Sequence, residues 1–323
     1  MAKIERTRNA ARNIVFGVTL KAYQIVVPFF MRTAVIYLMG VQYLGLGSLF
    51  SSILQVLNLA ELGVGAAMVF SMYKPIAEDD EDTICALMKL YRIYYRVIGL
   101  VIAGVGCALT PFIPRLIKSG VPDNINVYAL YLLNLGATVL SYWLFAYKNS
   151  ILSAHQRNDI GSKISMITSS LQYAVQLLVM WLTKNYYLYV IVALLTQALT
   201  NVITAFCADR LYPQYKPRGK LDKTAVYEIN RKVRDLFTAK IGGVVYDSAD
   251  TIVISAFLGL TMLAVYQNYY YILNSVFGFV VILFSACSAG IGNSLIVESK
   301  EKNFADFMAL DFHPAKQGCS VRI

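Results

Sequence analysis

The sequence contains unusually few charged residues for its length. Of its 323 residues only 15% are charged, whereas 57% are hydrophobic. Soluble globular domains have roughly 25% charged residues, and a soluble chain of this length would need more polar residues to cover its hydrophobic cores. This shortage excludes an ordinary soluble protein and favours a membrane protein.

Histidine and cysteine are also scarce, and this limits the chemistry of any site. The chain has only two histidines, His155 and His313, and its five cysteines form no CxxC motif and no cluster with histidine. Neither a disulfide framework nor a metal site is therefore predicted. The phosphate-binding pattern GxxxxGK[ST] is absent as well, so we expect no ATP hydrolysis by this chain.

Long apolar segments are the main feature that the sequence does contain. Eight windows are each long enough to cross a hydrocarbon core of about 30 Å as a helix. They lie at about 14–36, 47–70, 90–111, 126–147, 164–183, 187–207, 237–258 and 266–297. The sequence thus predicts an all-α polytopic membrane protein with about eight transmembrane helices.

The distribution of lysine and arginine predicts the orientation in the membrane. Nearly all of those outside the apolar windows fall in the N-terminal segment and the alternate loops on the same side, while the opposite loops hold only Arg115, Lys118 and Lys184. Basic residues favour the cytoplasmic side, so we expect a cytoplasmic N-terminus. The same asymmetry accounts for most of the net charge of +10, and we expect no nucleic-acid partner.

A long basic connection divides the chain. It contains Pro213, Pro217 and Gly219 and separates six apolar windows from the last two. Its segment Thr224 to Leu236 is either an amphipathic helix on the inner membrane surface or a solvated linker. We therefore predict four parts: a six-helix N-terminal lobe at 1–210, a basic cytoplasmic linker at 211–236, the first two helices of an incomplete second lobe at 237–307, and an atypical polar tail at 308–323.

Five ionisable residues inside the apolar windows stand out as candidates: Lys21, Arg32, Glu61, Asp247 and Asp250. A charge at this depth is costly, so such residues usually face a protein interior or a water-filled cavity. Lys21 and Arg32 are eleven residues apart, which places both on one helix face about 16 Å apart. Pro28 lies between them and is the candidate hinge.

The carboxylates allow two interpretations. Glu61 or Asp247 could neutralise Lys21 in a structural ion pair. Alternatively, Lys21 and Arg32 bind an anionic substrate while the carboxylates pair with them or carry a coupling ion in its absence. Asp247 and Asp250, three residues apart on one face, suit Na⁺ or H⁺, or they make structural polar contacts between helices. No other cofactor is expected.

Two stretches resemble the bacterial polysaccharide-repeat flippases of the Wzx type (O-antigen and capsular), which are related more distantly to the MATE drug exporters and the lipid II flippases. The first is Arg32 followed by YLMGVQYLGLGSLFSSILQVLNLAELGVGAAMVFSMYKPIAEDD, then LYRIYYRVIG after a short gap. The second is VVYDSADTIVISAFLGLTMLAVYQNYYYI, which is similar to the start of that family's second lobe.

This resemblance implies two six-helix lobes around a central cavity, in the bacterial plasma membrane. The substrate would be an oligosaccharide repeat unit linked through diphosphate to a polyprenol, and Arg32 and Lys21 would bind it. Membrane lipids and the polysaccharide polymerase machinery would be the other partners. Family members usually have twelve to fourteen spans, so a chain with eight would be inactive or would work only with a separately encoded remainder.

Two other functions are compatible with the sequence. A MATE-type cation-coupled drug exporter would have a cavity rich in carboxylates and aromatic residues, and the cations of the first window argue against it. A polyprenol-dependent membrane enzyme of polysaccharide assembly would need acids or a nucleophile outside the membrane. The external loops offer little of either, so we expect a transport protein and not an enzyme.

Overall fold

The structure is a computed structural model that describes the backbone of residues 6–61 and 63–297, and the side chains of residues 16–59, 61 and 63–278. All regular secondary structure in these residues is helical. The chain divides into two compact units, Met1–Asn268 and Tyr269–Ile323. The predicted tail at 308–323 and the end of the segment predicted at 237–307 lie outside the described residues.

Ten α-helices lie in the described residues: α1 (Arg6–Leu38), α2 (Val41–Leu57), α3 (Val64–Ala77), α4 (Glu81–Leu109), α5 (Val127–Trp143), α6 (Asn149–Ala154), α7 (Asn158–Thr183), α8 (Tyr186–Leu211), α9 (Lys223–Leu258) and α10 (Leu260–Val297). Short 3₁₀ turns occupy Asn58–Glu61, Thr110–Leu116 and Ala146–Lys148. The main helix contacts are those of α1 with α7, α7 with α8, α4 with α5, α2 with α9 and α3 with α4.

Polar side chains fix the starts of several helices. Asp80 accepts a hydrogen bond from the backbone N–H of Thr83 at 3.0 Å at the start of α4, and Asn185 accepts one from Tyr187 at 2.9 Å at the start of α8. Such caps satisfy backbone donors that have no partner within the helix. The connection between α7 and α8 is short because Lys184, in left-handed conformation, ends one helix directly before this cap.

Four helical segments of the described residues are long and apolar enough to cross a membrane: Glu81–Leu116, Asn158–Thr183, Tyr186–Leu211 and Lys223–Leu258. A fifth is added if Val127–Trp143 and Ala146–Ala154, which meet at 46°, form one bent span. Only 17–28% of the residues in the four apolar windows are buried, and large apolar side chains such as Ile167 and Trp181 point outward. An apolar outer surface is expected for helices that face lipid.

The second apolar window, predicted at about 47–70, is not one continuous helix. It consists of α2, the 3₁₀ turn Asn58–Glu61 and α3, which starts after Gly63. Gly63 has a φ of +90°, a conformation that side chains disfavour. A Cβ at Gly63 would also lie 2.7 Å from the Cβ of Leu236, so α9 packs closely against the break. The break places Glu61 between two short apolar helices.

Helix α9 runs without interruption from the region predicted as a linker into the seventh apolar window. It begins at Lys223, directly after Asp222, whose carboxylate accepts a hydrogen bond from Thr224 N–H at 3.2 Å, so the whole segment 224–236 is helical. The small buried residues Ser248, Thr251 and Ser255 lie on one face of α9, the helix that packs against α2. Small residues allow helices to approach closely in membranes.

The hydrophobic core of the first unit is formed mainly by α2 to α5. Leu46 and Leu49 of α2, Met68 of α3, Met88 of α4 and Leu130 of α5 are almost completely buried. These residues recur at spacings of three and four on their helices, as expected for one packed face. This core holds the break at Glu61 next to α4 and α5.

Candidate functional site

Glu61 is bound by tyrosine hydroxyls from two other helices. Its Oε1 accepts a hydrogen bond from Tyr95 at 2.6 Å, and its Oε2 accepts one from Tyr142 at 2.9 Å. The hydroxyl of Tyr91 donates to that of Tyr95 at 2.7 Å. The chain thus surrounds one half-buried carboxylate with three almost fully buried tyrosines, and we call this set the Glu61 cluster.

Two packed helices, α4 and α5, bring the tyrosines of the cluster to Glu61. Tyr91 and Tyr95 are four residues apart on α4, which places them one above the other on the same face, and their ring centroids are 4.5 Å apart. Tyr142 lies near the end of α5 and stacks on Tyr95 with centroids 5.4 Å apart. Since α5 packs against α4, both rings meet the turn that carries Glu61. Three separate elements therefore build the cluster.

The hydrogen bonds to Glu61 come from neutral groups. Within the described residues Glu61 forms no ion pair, and its hydrogen-bond donors are the hydroxyls of Tyr95 and Tyr142. A carboxylate inside a membrane protein is expensive unless it is paired or protonated, and such residues often form ion or proton pathways. The tyrosine hydroxyls can both donate and accept hydrogen bonds.

The two predicted cations of α1 have different environments. Arg32 is half-buried, and its Nε donates a hydrogen bond to Asn268 Oδ1 of α10 at 3.1 Å. Lys21 is exposed, and within the described residues no ion pair joins it to Glu61 or Asp247. Pro28 lies between them inside α1, which is assigned as one helix across it. The structure brings only Arg32 into a contact between helices.

The two aspartates of α9 lie on its exposed side. Asp250 accepts a hydrogen bond from the Tyr266 hydroxyl of α10 at 2.8 Å, and Asp247 is also exposed. The buried polar residues of α9 occupy other positions, since Ser248 and Thr251 are each 1% exposed. No hydrogen bond links either aspartate to Glu61, so the structure does not bring the three predicted carboxylates together.

A polar cavity of about 440 Å³ lies among α1, α6, α7 and α8. Tyr95, which binds Glu61, forms part of its wall, so the cavity adjoins the Glu61 cluster. Its remaining lining consists mainly of uncharged amide and hydroxyl side chains of α6, α7 and α8. A volume in this range is typical of small-molecule sites, which are roughly 300–1,000 Å³.

The sequence analysis missed most of these residues. It assigned no role to the tyrosines, and the only sequence signal for the cluster is the spacing of Tyr91 and Tyr95. It also missed Asp159, which is 1% exposed and lies 3.0 Å from the Nε of Arg157 and 3.6 Å from the Nζ of Lys163. The four-residue spacing of Asp159 and Lys163 was a signal for this ion pair.

A half-buried histidine lies at the end of α6. His155 lies directly after α6, with its ring centroid 4.2 Å from that of Tyr212 and 5.5 Å from that of Tyr215. Burial lowers the pKa of His155, and this outweighs the raising effect of its hydrogen bond to the Ile151 carbonyl. No group of three or more metal-binding side chains occurs in the part of the chain that the structure describes.

No protein-family model, no curated protein and no solved structure matches the chain. Any functional assignment therefore depends on the residues themselves and on the resemblance described above.

Proposed function

We propose that the protein is a flippase that moves polyprenyl-diphosphate-linked oligosaccharide repeat units across the bacterial plasma membrane for surface polysaccharide synthesis. The observation that carries this proposal is the position of Arg32. A guanidinium group inside an apolar helix costs at least about 2.5–3.5 kcal/mol by insertion scales, so such residues usually have a function. A diphosphate is the ligand that a half-buried arginine suits best.

The Glu61 cluster supports a coupled transport mechanism. Movement of an anionic substrate against its gradient needs a second ion, and Glu61 is a membrane carboxylate whose donors are all neutral. In this proposal Glu61 takes up H⁺ or Na⁺ on one side of the membrane and releases it on the other. Asp247 and Asp250 are a second candidate pair for the same ion.

The proposed architecture is that of the resembling family. The apolar windows before residue 211 form one lobe, in which α2 and α3 are the two parts of a single broken span, and α9 and α10 start a second lobe. The N-terminus and the basic loops lie in the cytoplasm. Transport by alternating access then moves one lobe against the other around the substrate.

Complementation of a bacterial strain that lacks its own flippase tests this function. We expect the parent chain, alone or with a separately encoded second-lobe segment, to restore surface polysaccharide, and Arg32→Ala and Lys21→Ala to abolish it at equal membrane expression. Arg115→Ala is the matched control, because it removes an exposed cation outside the apolar windows. Full activity of Arg32→Ala, or no restoration by an abundant parent chain in either form, would overturn the proposal.

A cation-coupled drug exporter is the second candidate, and the Glu61 cluster is the observation that favours it. A carboxylate surrounded by aromatic rings suits an organic cation, because both groups attract positive charge. Export of a cationic dye from cells, measured with the parent and with Glu61→Gln, separates the two functions. Dye export that depends on Glu61 and not on Arg32 would favour the drug exporter.

A further inference from the structure

The polar cavity among α1, α6, α7 and α8 has no role in the charge-based arguments above. Its lining includes Leu20 of α1, Asn149 of α6, Gly161 of α7 and Asn201 of α8, and the rings of Tyr95 and Phe145. Among the described side chains, its lining contains no aspartate, glutamate, lysine, arginine or histidine. The cavity is therefore a polar but uncharged space next to apolar helices.

Several lining side chains have hydrogen-bonding groups that the protein does not use. Within the described residues no side-chain hydrogen bond is formed by Asn149, Asn158, Ser162, Ser165 or Thr204. Hydroxyls elsewhere on the same helices do bond to the backbone, as Ser170 does to the Met166 carbonyl at 2.8 Å. Asn149 and Asn158 are exposed, and Ser162 and Ser165 are half-buried, so their polar groups face accessible space. The unused groups of the cavity are therefore available to water or to a ligand.

Two charges near the cavity are paired with other charges. Asp159 of α7 is paired with Arg157 and Lys163. Lys148, at the end of the 3₁₀ turn before α6, is paired with Asp209, and its Nζ also lies 5.2 Å from the ring centroid of the lining residue Phe145. Glu61 lies behind Tyr95, so these charges adjoin the lining without belonging to it. A cation or a phosphate group would have no counter-charge inside the cavity, so neither is the ligand that it fits.

The chemistry of the lining matches an uncharged sugar. Hydroxyl groups of a sugar both donate and accept hydrogen bonds, as do the amides of Asn149 and Asn158 and the hydroxyls of Ser162 and Ser165. The apolar faces of a sugar ring pack on aromatic rings, and Phe145 supplies one at the wall. Phe145 has a φ of +59° at the bend between α5 and α6, a conformation that is rare for a residue other than glycine.

We propose that this cavity binds an uncharged sugar residue of the transported oligosaccharide and discriminates against acidic sugars. This inference rests on the proposed flippase function and adds a substrate class to it. Leu20 at the cavity and Arg32 are twelve residues apart on α1, or about 18 Å. The sugar and the diphosphate are thus bound at different levels of the same helix, and the flanking basic residues place the cavity on the cytoplasmic side, where the substrate is loaded.

A glycine in the wall allows the cavity to be filled selectively. A Cβ on Gly161 would meet only Asn149 Oδ1, at 3.7 Å, which is an ordinary contact, so the leucine of Gly161→Leu has room to extend into the cavity. Gly136→Leu is the matched control, since Gly136 lies in a helix and a Cβ there meets nothing within 4 Å. Both changes replace glycine by a better helix former, so neither should lower helix stability.

Saturation-transfer difference NMR on the purified chain, in a detergent without a sugar headgroup, measures binding directly. The probes are glucose and N-acetylglucosamine as uncharged sugars and glucuronic acid as the acidic sugar. We expect signals from the uncharged sugars with the parent and with Gly136→Leu, a loss of at least fivefold with Gly161→Leu, and weak signals from glucuronic acid. The double variant Asn158→Leu/Ser162→Ala, which removes polar groups without filling the space from Gly161, should show the same loss.

The results also separate this inference from the flippase function. Absence of signals from both uncharged sugars with the parent, equal signals from parent and Gly161→Leu, or equal binding of glucuronic acid would overturn the sugar site. Complementation by the parent is scored independently. Sugar binding that depends on Gly161 without complementation would retain the site and reject the flippase function, whereas complementation that Gly161→Leu leaves unchanged would reject the site alone.

Discussion

The hydrogen bonds to Glu61 give the sharpest prediction for stability. Tyr95→Phe removes a bond to a carboxylate and also the acceptor of the Tyr91 hydroxyl; hydrogen bonds to charged groups alone are worth about 1.5–3 kcal/mol. Tyr91→Phe removes a bond between two neutral hydroxyls, and side-chain hydrogen bonds inside membrane proteins average about 0.6 kcal/mol. Since Tyr91 and Tyr95 are similarly buried on one face of α4, the ring packing is the same in both variants. Tyr95→Phe should therefore cost at least about 1 kcal/mol more.

The measurement is reversible unfolding in mixed micelles of increasing SDS fraction, followed by helix content. Each tyrosine variant is made in the parent and in Glu61→Gln, because contacting residues show coupling energies of about 0.5–3 kcal/mol in such cycles. We expect coupling between Tyr95 and Glu61 and little between Tyr91 and Glu61. Equal costs for the two tyrosine variants, together with zero coupling to Glu61, would refute the charged hydrogen bond as the source of stability.

Three further predictions follow from single residues. Gly63→Ala should destabilise the chain by about 1–2 kcal/mol because of its positive φ. Gly243→Ala, where a Cβ meets open space, should stabilise it by up to about 1 kcal/mol. The same unfolding assay compares the two variants, and equal effects would contradict a backbone at Gly63 that only glycine adopts easily. Burial lowers the pKa of His155, so its neutral form stabilises the fold above pH 6.5. This contribution decreases as the pH falls from 6.5 through the lowered pKa. Between pH 8 and 5 the free energy of unfolding should therefore decrease less in His155→Gln than in the parent. Asp159→Asn should lower the stability by about 1.5–3 kcal/mol, because it weakens charged contacts of a buried carboxylate. Asp235→Asn, in an exposed ion pair, should lower it by less than about 1 kcal/mol. Similar losses of stability in the two variants would contradict a role for burial.

The positions of the helices were largely predictable, because a long apolar segment is stable in a bilayer only when its backbone hydrogen bonds are formed within the segment. A window of about twenty apolar residues can satisfy its backbone groups inside lipid only as a helix. The windows at about 164–183 and 187–207 accordingly lie within α7 and α8. Apolar composition does not show where a span breaks, and the break in the second window depends on the conformation of Gly63, which the sequence analysis did not use.

The candidate site was less predictable because it is formed by contacts between distant segments. The ionisable residues inside apolar windows were found, since their cost in lipid makes them conspicuous. Their partners were not, because Tyr95 and Tyr142 reach Glu61 from two other helices. The predicted pairing of Lys21 with an acid also depended on estimated depths alone, and depth along a helix does not determine the direction in which a side chain points.

The relation between broken and unbroken helices has a mechanical consequence. At 1.5 Å per residue, the 36 residues of α9 form a rod of about 54 Å. The backbone of α9 around Leu236 touches Gly63, and a later part of the rod packs on α2. One stiff element thus supports both halves of the broken span. Bending at the Glu61 turn would require α2 or α3 to slide along α9, so a displacement of the N-terminal end of α9 would be transmitted to Glu61.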